Sequence, residues 1–371
     1  MKHASKKTNS AEGEFGATSR RKFLATLGVG TAALGFPFIV TPRRALAQGA
    51  DNAPPDMNAA RKEGPLLVWH ADQEADVVKF IKIFTDKTGI QVNQQRLLPG
   101  AAWPKLYAEL RAGKVDVDVY DTADPGTMDK MRQQGHLLRY EPPGLEAFDP
   151  RALSSPRGYW ATYFINVGPI MYDPRYVKKE EAPKTLADLL DPRWKNAIGF
   201  QNAAAGTSYA MWFVLRNVMP KDYWTKLAAQ KPKGYSSSTQ IMSDLHRGDI
   251  KVGGRVSIFQ YLKSKRAKLP VEVVFPTEGT PSVNQVTGIF KTTKRPNAAK
   301  AYVDYLLSAE GQKTWNEIQG SYSARKDVDI AGLPAMSSFK VLFPTPDEFA
   351  QYGSEKLHAQ YLKVWNNMVG L

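Results

Sequence analysis

The sequence predicts an α/β fold built on mainly parallel sheets, and two observations predict it. Short apolar strands alternate with amphipathic helices along nearly the whole chain. The composition, 43% hydrophobic and 23% charged, is that of an ordinary globular protein rather than a disordered chain or a membrane bundle. Leu66-Leu67-Val68-Trp69 is a continuous apolar run suited to a buried parallel strand. From Ala75 to Lys87, Val77, Val78, Phe80, Ile81 and Phe84 then fall at helical spacing, Gly89 closes the helix, and Ile90-Gln91-Val92 begins the next strand. The order continues with a helix from Pro104 to Ala112, a strand from Val115 to Tyr120, and a helix after Asp124-Pro125-Gly126. Further strands are expected at 163–172, 197–200, 271–275 and 286–290, a long helical stretch at 296–315, and an amphipathic tail from Glu355 to Val369.

The first residues carry an address. Ser19-Arg20-Arg21-Lys22-Phe23-Leu24, an apolar segment to Val40 and the small-residue site Ala45-Leu46-Ala47 have the order of a twin-arginine export signal. A transmembrane anchor is the weaker reading, because the stretch is short and broken by Gly28, Gly30, Gly35 and Pro37. Cleavage is expected to leave a mature chain of about 324 residues from Gln48, with 48–63 a flexible lead-in. Removing the eight Lys or Arg and two Glu of residues 1–47 takes the net charge from +14 to about +8. That balance reads first as a well-solvated basic surface, and otherwise favours anionic small molecules or approach to an anionic membrane surface, while the scattered basic residues lack the aromatic interleaving of a nucleic-acid surface. The chain has no cysteine, which excludes a disulfide framework, a thiol nucleophile, a thiolate metal site and an N-terminal lipidated cysteine. The product is expected in a Gram-negative periplasm, soluble and monomeric, with the twin-arginine translocase as its partner during export.

Four segments resemble a known family. They are Phe84-Thr85-Asp86-Lys87-Thr88-Gly89-Ile90, Val115-Asp116-Val117-Asp118-Val119, Leu186 to Ile198 (LADLLDPRWKNAI), and Leu306-Leu307-Ser308-Ala309-Glu310-Gly311-Gln312. Together they resemble the extracellular solute-binding proteins of ABC importers, in the branch that includes periplasmic ferric-iron-binding proteins. The resemblance implies a two-lobed type II periplasmic-binding-protein fold, each lobe a mainly parallel sheet flanked by helices, with hinge strands between them. Crossings are expected near 163–170 and 271–277, giving lobe one as 64–163 plus 277–325 and lobe two as 164–276 plus 326–371. It also implies ligand in the cleft, outside the carboxyl ends of the strands, and delivery to the transmembrane subunits of an ABC permease.

The candidate ligand contacts follow from that placement. His70 and Asp72 follow the opening strand, where iron-binding relatives often place a metal ligand; a hydrogen-bonded surface histidine is the alternative. Trp103, in the loop Pro99 to Pro104, is expected to be exposed as a stacking platform, with free backbone N–H groups beside it. Asp121 and Asp124 follow the third strand, Asp124 being equally suited to capping a helix. Gly206, Thr207, Ser208 and Tyr209 open a helix with donors that suit a carboxylate, phosphate or phosphonate, and Ser238 and Thr239 repeat the arrangement. Simple N-capping explains both clusters as well. Relatives carry adjacent tyrosines where this chain reads Arg255-Val256-Ser257-Ile258-Phe259-Gln260-Tyr261, so Phe259 and Gln260 break an iron pattern that Tyr261 alone would keep. Relatives tend to have arginines in the first crossing, whereas this chain has Tyr163, Asn166 and Gly168; Arg255 is then the candidate fixed cation. Glu278, just past the second crossing, completes the set.

A small anionic or zwitterionic organic solute is the expected ligand, ferric iron the alternative, and no cofactor is implied. A periplasmic enzyme on the same scaffold is the other class. Against it, the chain has no Gly-x-Ser-x-Gly elbow and no His-Glu-x-x-His, and Gly206-Thr207-Ser208-Tyr209-Ala210 comes nearest.

Overall fold

The computed structural model describes residues 52–203, 206–344, 348 and 351–369; the expected export signal lies outside them. Two sheets organise the chain. The first holds β1 (Leu66–His70), β2 (Val92–Arg96), β3 (Val119–Thr122), β4 (Ala161–Val167) and β10 (Thr280–Ile289). Its order is β2-β1-β3-β10 with β4 on β10, and the short β11 (Val341–Leu342) pairs with Thr280 and Pro281. The second holds β5 (Ile170–Tyr172), β6 (Ile198–Gln201), β7 (Lys233–Tyr235), β8 (Val252–Gly253) and β9 (Glu272–Val274), in the order β7-β6-β8-β5-β9. Both sheets are mixed. β1 runs parallel to β2 and β3, and β6 parallel to β7 and β8. The strands that pass between the sheets, β4 with β10 and β5 with β9, are antiparallel, as a chain entering from the opposite sheet requires.

Helices cover the two sheets as their apolar stripes dictate. In α2 (Glu74–Thr88), Val77, Phe80, Ile81 and Phe84 are buried, and Gly89 ends the helix in the left-handed region at φ 75. Phe80 and Phe84 meet Tyr302 and Tyr305 of α9 (Pro296–Leu307) edge-on or tilted at 5.5–6.4 Å, and Phe80 meets Trp315 edge-on at 5.4 Å. The helical stretch at 296–315 is two helices, parted at Ser308 to Gly311, where the sequence itself reads as the end of one helix and the start of another. Ser308 leaves α9 and caps α10 (Ala309–Gln319), accepting from the Gly311 N–H at 3.0 Å. A Cβ on Gly311 would lie 1.7 Å from the Tyr305 carbonyl oxygen, which explains the glycine. In the other quoted segment, Asp191 accepts from Arg193 N at 2.9 Å, and Asn196 takes φ 60 to feed β6.

The lead-in departs from expectation. Residues 57–62 form α1 (Met57–Lys62), with Asp56 accepting from Asn58 N and Ala59 N at 2.8 and 3.1 Å. Its partner Glu63 accepts from Asn297 N and Ala298 N, the free donors at the start of α9. A six-residue helix is too short for a periodic signal, and long-range capping fixes it. Over the second sheet lie α5 (Gly206–Leu215), α6 (Tyr223–Ala229), α7 (Ser238–Arg247) and α8 (Phe259–Arg266), with the C-terminal helix Glu355–Val369 packed on α5 and α6. None of the helices in the described residues is long and apolar enough to cross a membrane.

Candidate functional site

On the first sheet the strand ends gather acids beneath the surface rather than on it. His70 ends β1 fully buried, its Nε2 2.6 Å from Gln94 Oε1 on β2, and burial lowers its pKa. The surface-histidine alternative does not describe it. Asp72, 7% exposed, accepts a short hydrogen bond from the Tyr163 hydroxyl of β4. Asp121, 3% exposed, accepts from the Tyr302 hydroxyl at 3.0 Å. Burial pushes Asp72 up to about 8, with the neighbouring Asp121 charge adding to it, and burial pushes Asp121 up to about 7. Each phenol thus donates to one carboxyl, a link between β1, β3, β4 and α9 that no local pattern announces, while Asp121 Oδ1 has no hydrogen-bond partner among the described residues.

Trp103 corrects an expectation. Helix α3 spans Pro99–Ala112, so the loop expected before Pro104 is already helical and Trp103 lies inside it, 7% exposed. Its ring packs edge-on against Tyr120 at 5.0 Å, and its Nε1 donates to Asp124 Oδ2 at 2.8 Å. Asp124 also accepts from Thr127 N at 2.9 Å, capping α4 (Pro125–Gln133), and burial raises its pKa. Trp103→Phe is expected to cost about 1 kcal/mol by removing one donor to that carboxylate, read as a lower midpoint in urea.

On the second sheet most of the candidate donors serve the fold. Thr207 donates to Gln201 Oε1 at 3.2 Å and Ser208 to the Gln201 carbonyl at 3.4 Å, closing the β6–α5 turn that Gly206 begins. The Tyr209 hydroxyl donates to Tyr352 O at 2.7 Å, and burial pushes its pKa up to about 12. Gln260 Nε2 donates to Ser238 Oγ at 3.1 Å and Thr239 Oγ1 at 3.0 Å, tying α8 to α7. Tyr261 is half-buried against the main core, with Lys265 over its ring at 5.3 Å. Glu278 accepts from Leu186 N and Ala187 N at 3.1 and 3.2 Å, which places it as a cap of the 3-10 turn Ala187–Leu190.

Arg255 is different. Gly253-Gly254 brings the chain off β8, Arg255 takes φ 55, and its side chain is 5% exposed. The guanidinium lies over the Trp365 ring at 4.3 Å, with Phe200 at 5.3 Å and Trp224 at 5.9 Å. Its Nε and Nη1 have no hydrogen-bond partner among the described residues, and no carboxylate pairs with it there. Burial lowers its pKa to about 10, so it keeps its charge at neutral pH. Beside it Val256 N donates to Pro169 O at 2.9 Å, and Asn166 Nδ2 on β4 donates to Ser257 Oγ at 3.0 Å. The fixed cation therefore stands against the passage from β4 to β5. Asn166 Oδ1 and both amide atoms of Asn284 on β10 are also buried without partners among the described residues. Sequence reasoning reached Arg255 and Asn166; it missed Asn284 and the aromatic rings, because Trp365 belongs to a tail helix whose position only the fold determines.

Two sheets joined by two passages, with loops at the strand ends, define a two-lobed binding protein of the type II periplasmic class. The model of the bacterial extracellular solute-binding protein family matches residues 115–348, and the chain belongs to that family. An uncharacterized protein of Haemophilus influenzae is 25% identical over 327 residues, covering 84% of this chain and 93% of its own length. Iron-bound HitA from Pseudomonas aeruginosa superposes with a TM-score of 0.71 at 21% identity, over 83% of this chain and 100% of that one. The periplasmic binding protein AfuA from Actinobacillus pleuropneumoniae, with exogenous fructose-6-phosphate bound, gives 0.67 at 20% identity, over 83% and 99%.

Proposed function

We propose that this chain is a periplasmic receptor that binds a small anionic or zwitterionic organic solute between its lobes and delivers it to the transmembrane subunits of an ABC permease. Arg255 carries the reading. A guanidinium withdrawn from water, held by three aromatic rings and paired with no acid among the described residues, gains most from an anionic partner. The unpartnered Asn166 Oδ1, on the crossing strand beside Ser257, adds an acceptor for a hydroxyl of a polar solute. AfuA, a similar fold with exogenous fructose-6-phosphate bound, supports the reading. Ferric iron is the second reading; HitA is iron-bound, and the oxygen-rich set Asp72, Tyr163, Asp121 and Tyr302 is the feature that favours it here. Twin-arginine export and a monomeric mature protein complete the proposal.

The test is a thermal-shift screen with sugar phosphates, phosphonates and carboxylates, polyamines as cationic controls, and Arg255→Met in parallel. A true ligand at a hundredfold excess over its Kd stabilises the folded state by about 2.7 kcal/mol. In Arg255→Met that response is expected to vanish while the unliganded protein stays as stable as the parent or gains stability, since an unpaired buried charge has been removed. A response kept in full by Arg255→Met sinks the role of this residue. Stabilisation by Fe(III) alone, with a phenolate-to-iron absorption band, would replace the anion with the metal.

A further inference from the structure

The C-terminal helix Glu355–Val369 brings more to Arg255 than the face of Trp365. One turn earlier on it, Tyr361 is fully buried. The Tyr361 ring stacks on Trp365 at 5.6 Å and meets Tyr209 at 5.3 Å and Trp212 at 5.5 Å. Its hydroxyl, in contrast, has no hydrogen-bond partner among the described residues. Burial raises the pKa of that hydroxyl, while the Arg255 charge and the Ser208 hydroxyl pull it down, so the three groups share one locality. Ser208 sends its own proton elsewhere, its Oγ donating to the Gln201 carbonyl at 3.4 Å. Trp365 Nε1 donates to the same carbonyl at 2.8 Å, which sets the locality at the end of β6, where the strand-end loops begin.

A buried hydroxyl without a partner is costly, and phenylalanine would fill the same space among these rings without that cost. Arg255 Nε and Nη1 and the Tyr361 hydroxyl are three donors that no acceptor among the described residues answers. An ammonium group would be repelled by the guanidinium, whereas an oxyanion, which only accepts, satisfies all three. We propose that Tyr361 is a ligand-contacting residue, its hydroxyl being the second donor, after Arg255, to the oxyanion group of the solute. The role rests on the reading of this chain as an anion receptor, and it makes the C-terminal helix part of the binding site rather than only a cover for the second sheet. That helix lies past residue 348, where the family match ends. Arg255 and Tyr361 are both withdrawn from water, so hydrogen bonds to a charged group are stronger there than at the surface.

The experiment compares Tyr361→Phe, Tyr209→Phe and Arg255→Met with the parent protein, first without ligand by urea denaturation, then by titration calorimetry with inorganic phosphate, glycerol 3-phosphate and succinate. Tyr361→Phe keeps the ring and is expected to leave the unliganded midpoint unchanged or to raise it. Tyr209→Phe, which loses the hydrogen bond to Tyr352 O at 2.7 Å, is expected to lower it. A probe that binds the parent is expected to bind Tyr361→Phe about tenfold more weakly, the effect of one hydrogen bond to a charged group, and Arg255→Met more weakly still. A midpoint that falls in Tyr361→Phe as far as in Tyr209→Phe would mean that the fold itself engages the hydroxyl, and overturns the proposal before any ligand is added. Equal affinity of Tyr361→Phe and the parent for a probe that Arg255→Met no longer binds overturns the role of Tyr361 alone and leaves the anion receptor standing. Failure of all three probes to bind the parent removes the anion receptor, and this donor with it.

Discussion

Trp365→Ala is expected to destabilise the protein by about 4 kcal/mol, the range observed when a large aromatic is deleted from a close-packed core. Trp365 is fully buried and stacks on Tyr361 at 5.6 Å, with Phe200 at 5.8 Å and Trp224 at 6.0 Å. Its Nε1 donates to the Gln201 carbonyl at 2.8 Å, joining the tail helix to the end of β6. Truncation removes all of these together and strips the Arg255 guanidinium of its nearest ring, leaving a desolvated charge beside a void. Trp365→Phe keeps most of the packing and the ring face but loses the donor, so its loss should be nearer 1 kcal/mol. Urea denaturation of the two variants decides the matter. A loss below about 1 kcal/mol for Trp365→Ala would mean that the C-terminal helix contributes little to the second lobe.

Stability is expected to fall as pH rises from about 4 to about 8, opposite in sign to the usual behaviour of paired carboxylates. Asp72 and Asp121 titrate near 8 and 7 in the folded chain, against an unfolded value of 3.8. Between those limits the native state holds protons that the unfolded chain has released, so the unfolding free energy decreases with increasing pH and levels off above both native values. The two carboxyls face one another, so their contributions are not independent, and the loss is expected to be large enough to lower the midpoint in urea visibly across this range. The stabilised acids Asp129, Asp149, Asp173, Asp188 and Asp191, whose pKa values are lowered, act in the opposite sense at pH below about 4, and His70, whose pKa burial lowers, acts in the opposite sense as pH rises to about 6.5 and offsets part of the loss. Asp121→Asn keeps an acceptor for the Tyr302 hydroxyl without a titrating proton, and should flatten the slope. A midpoint in urea that is constant from pH 5 to 8 in the parent protein would refute the buried-acid assignment.

How much of this was legible in the sequence depends on range. Elements whose determinants are local were readable: the run Leu66 to Trp69, the stripe Val77 to Phe84 and the break at Ser308 each carry their cause within a few residues. The family resemblance rested on turns of that sort, and Asn196 and Gly311 now have steric reasons for their presence. Determinants acting across the chain were not readable. Tyr163 and Asp72 are 91 positions apart, and only the pairing of β4 into the first sheet brings them together. Trp103 looked exposed because the helical stripe was read from Pro104, whereas Pro99 starts the helix, the position where proline fits best. The hydroxyls at the helix starts were readable as donors, but which of them the fold itself engages depended on where Gln201 and Gln260 point.

The two passages between the sheets differ in length, and this fixes the mechanics of the molecule. Only Gly168 and Pro169 separate β4 from β5, while residues 275–279 separate β9 from β10. Two residues can twist but have almost no slack to pay out, so neither half can slide past the other along the shorter link. Gly168 N also donates to Pro281 O at 2.9 Å, pinning the longer link to the shorter. If the two halves rotate about this link, each atom travels in proportion to its distance from the axis. A Cβ on Gly168 would lie 3.3 Å from that of Arg255, so the guanidinium's anchor sits at the fulcrum and scarcely moves. Such a rotation would leave the charge near its place.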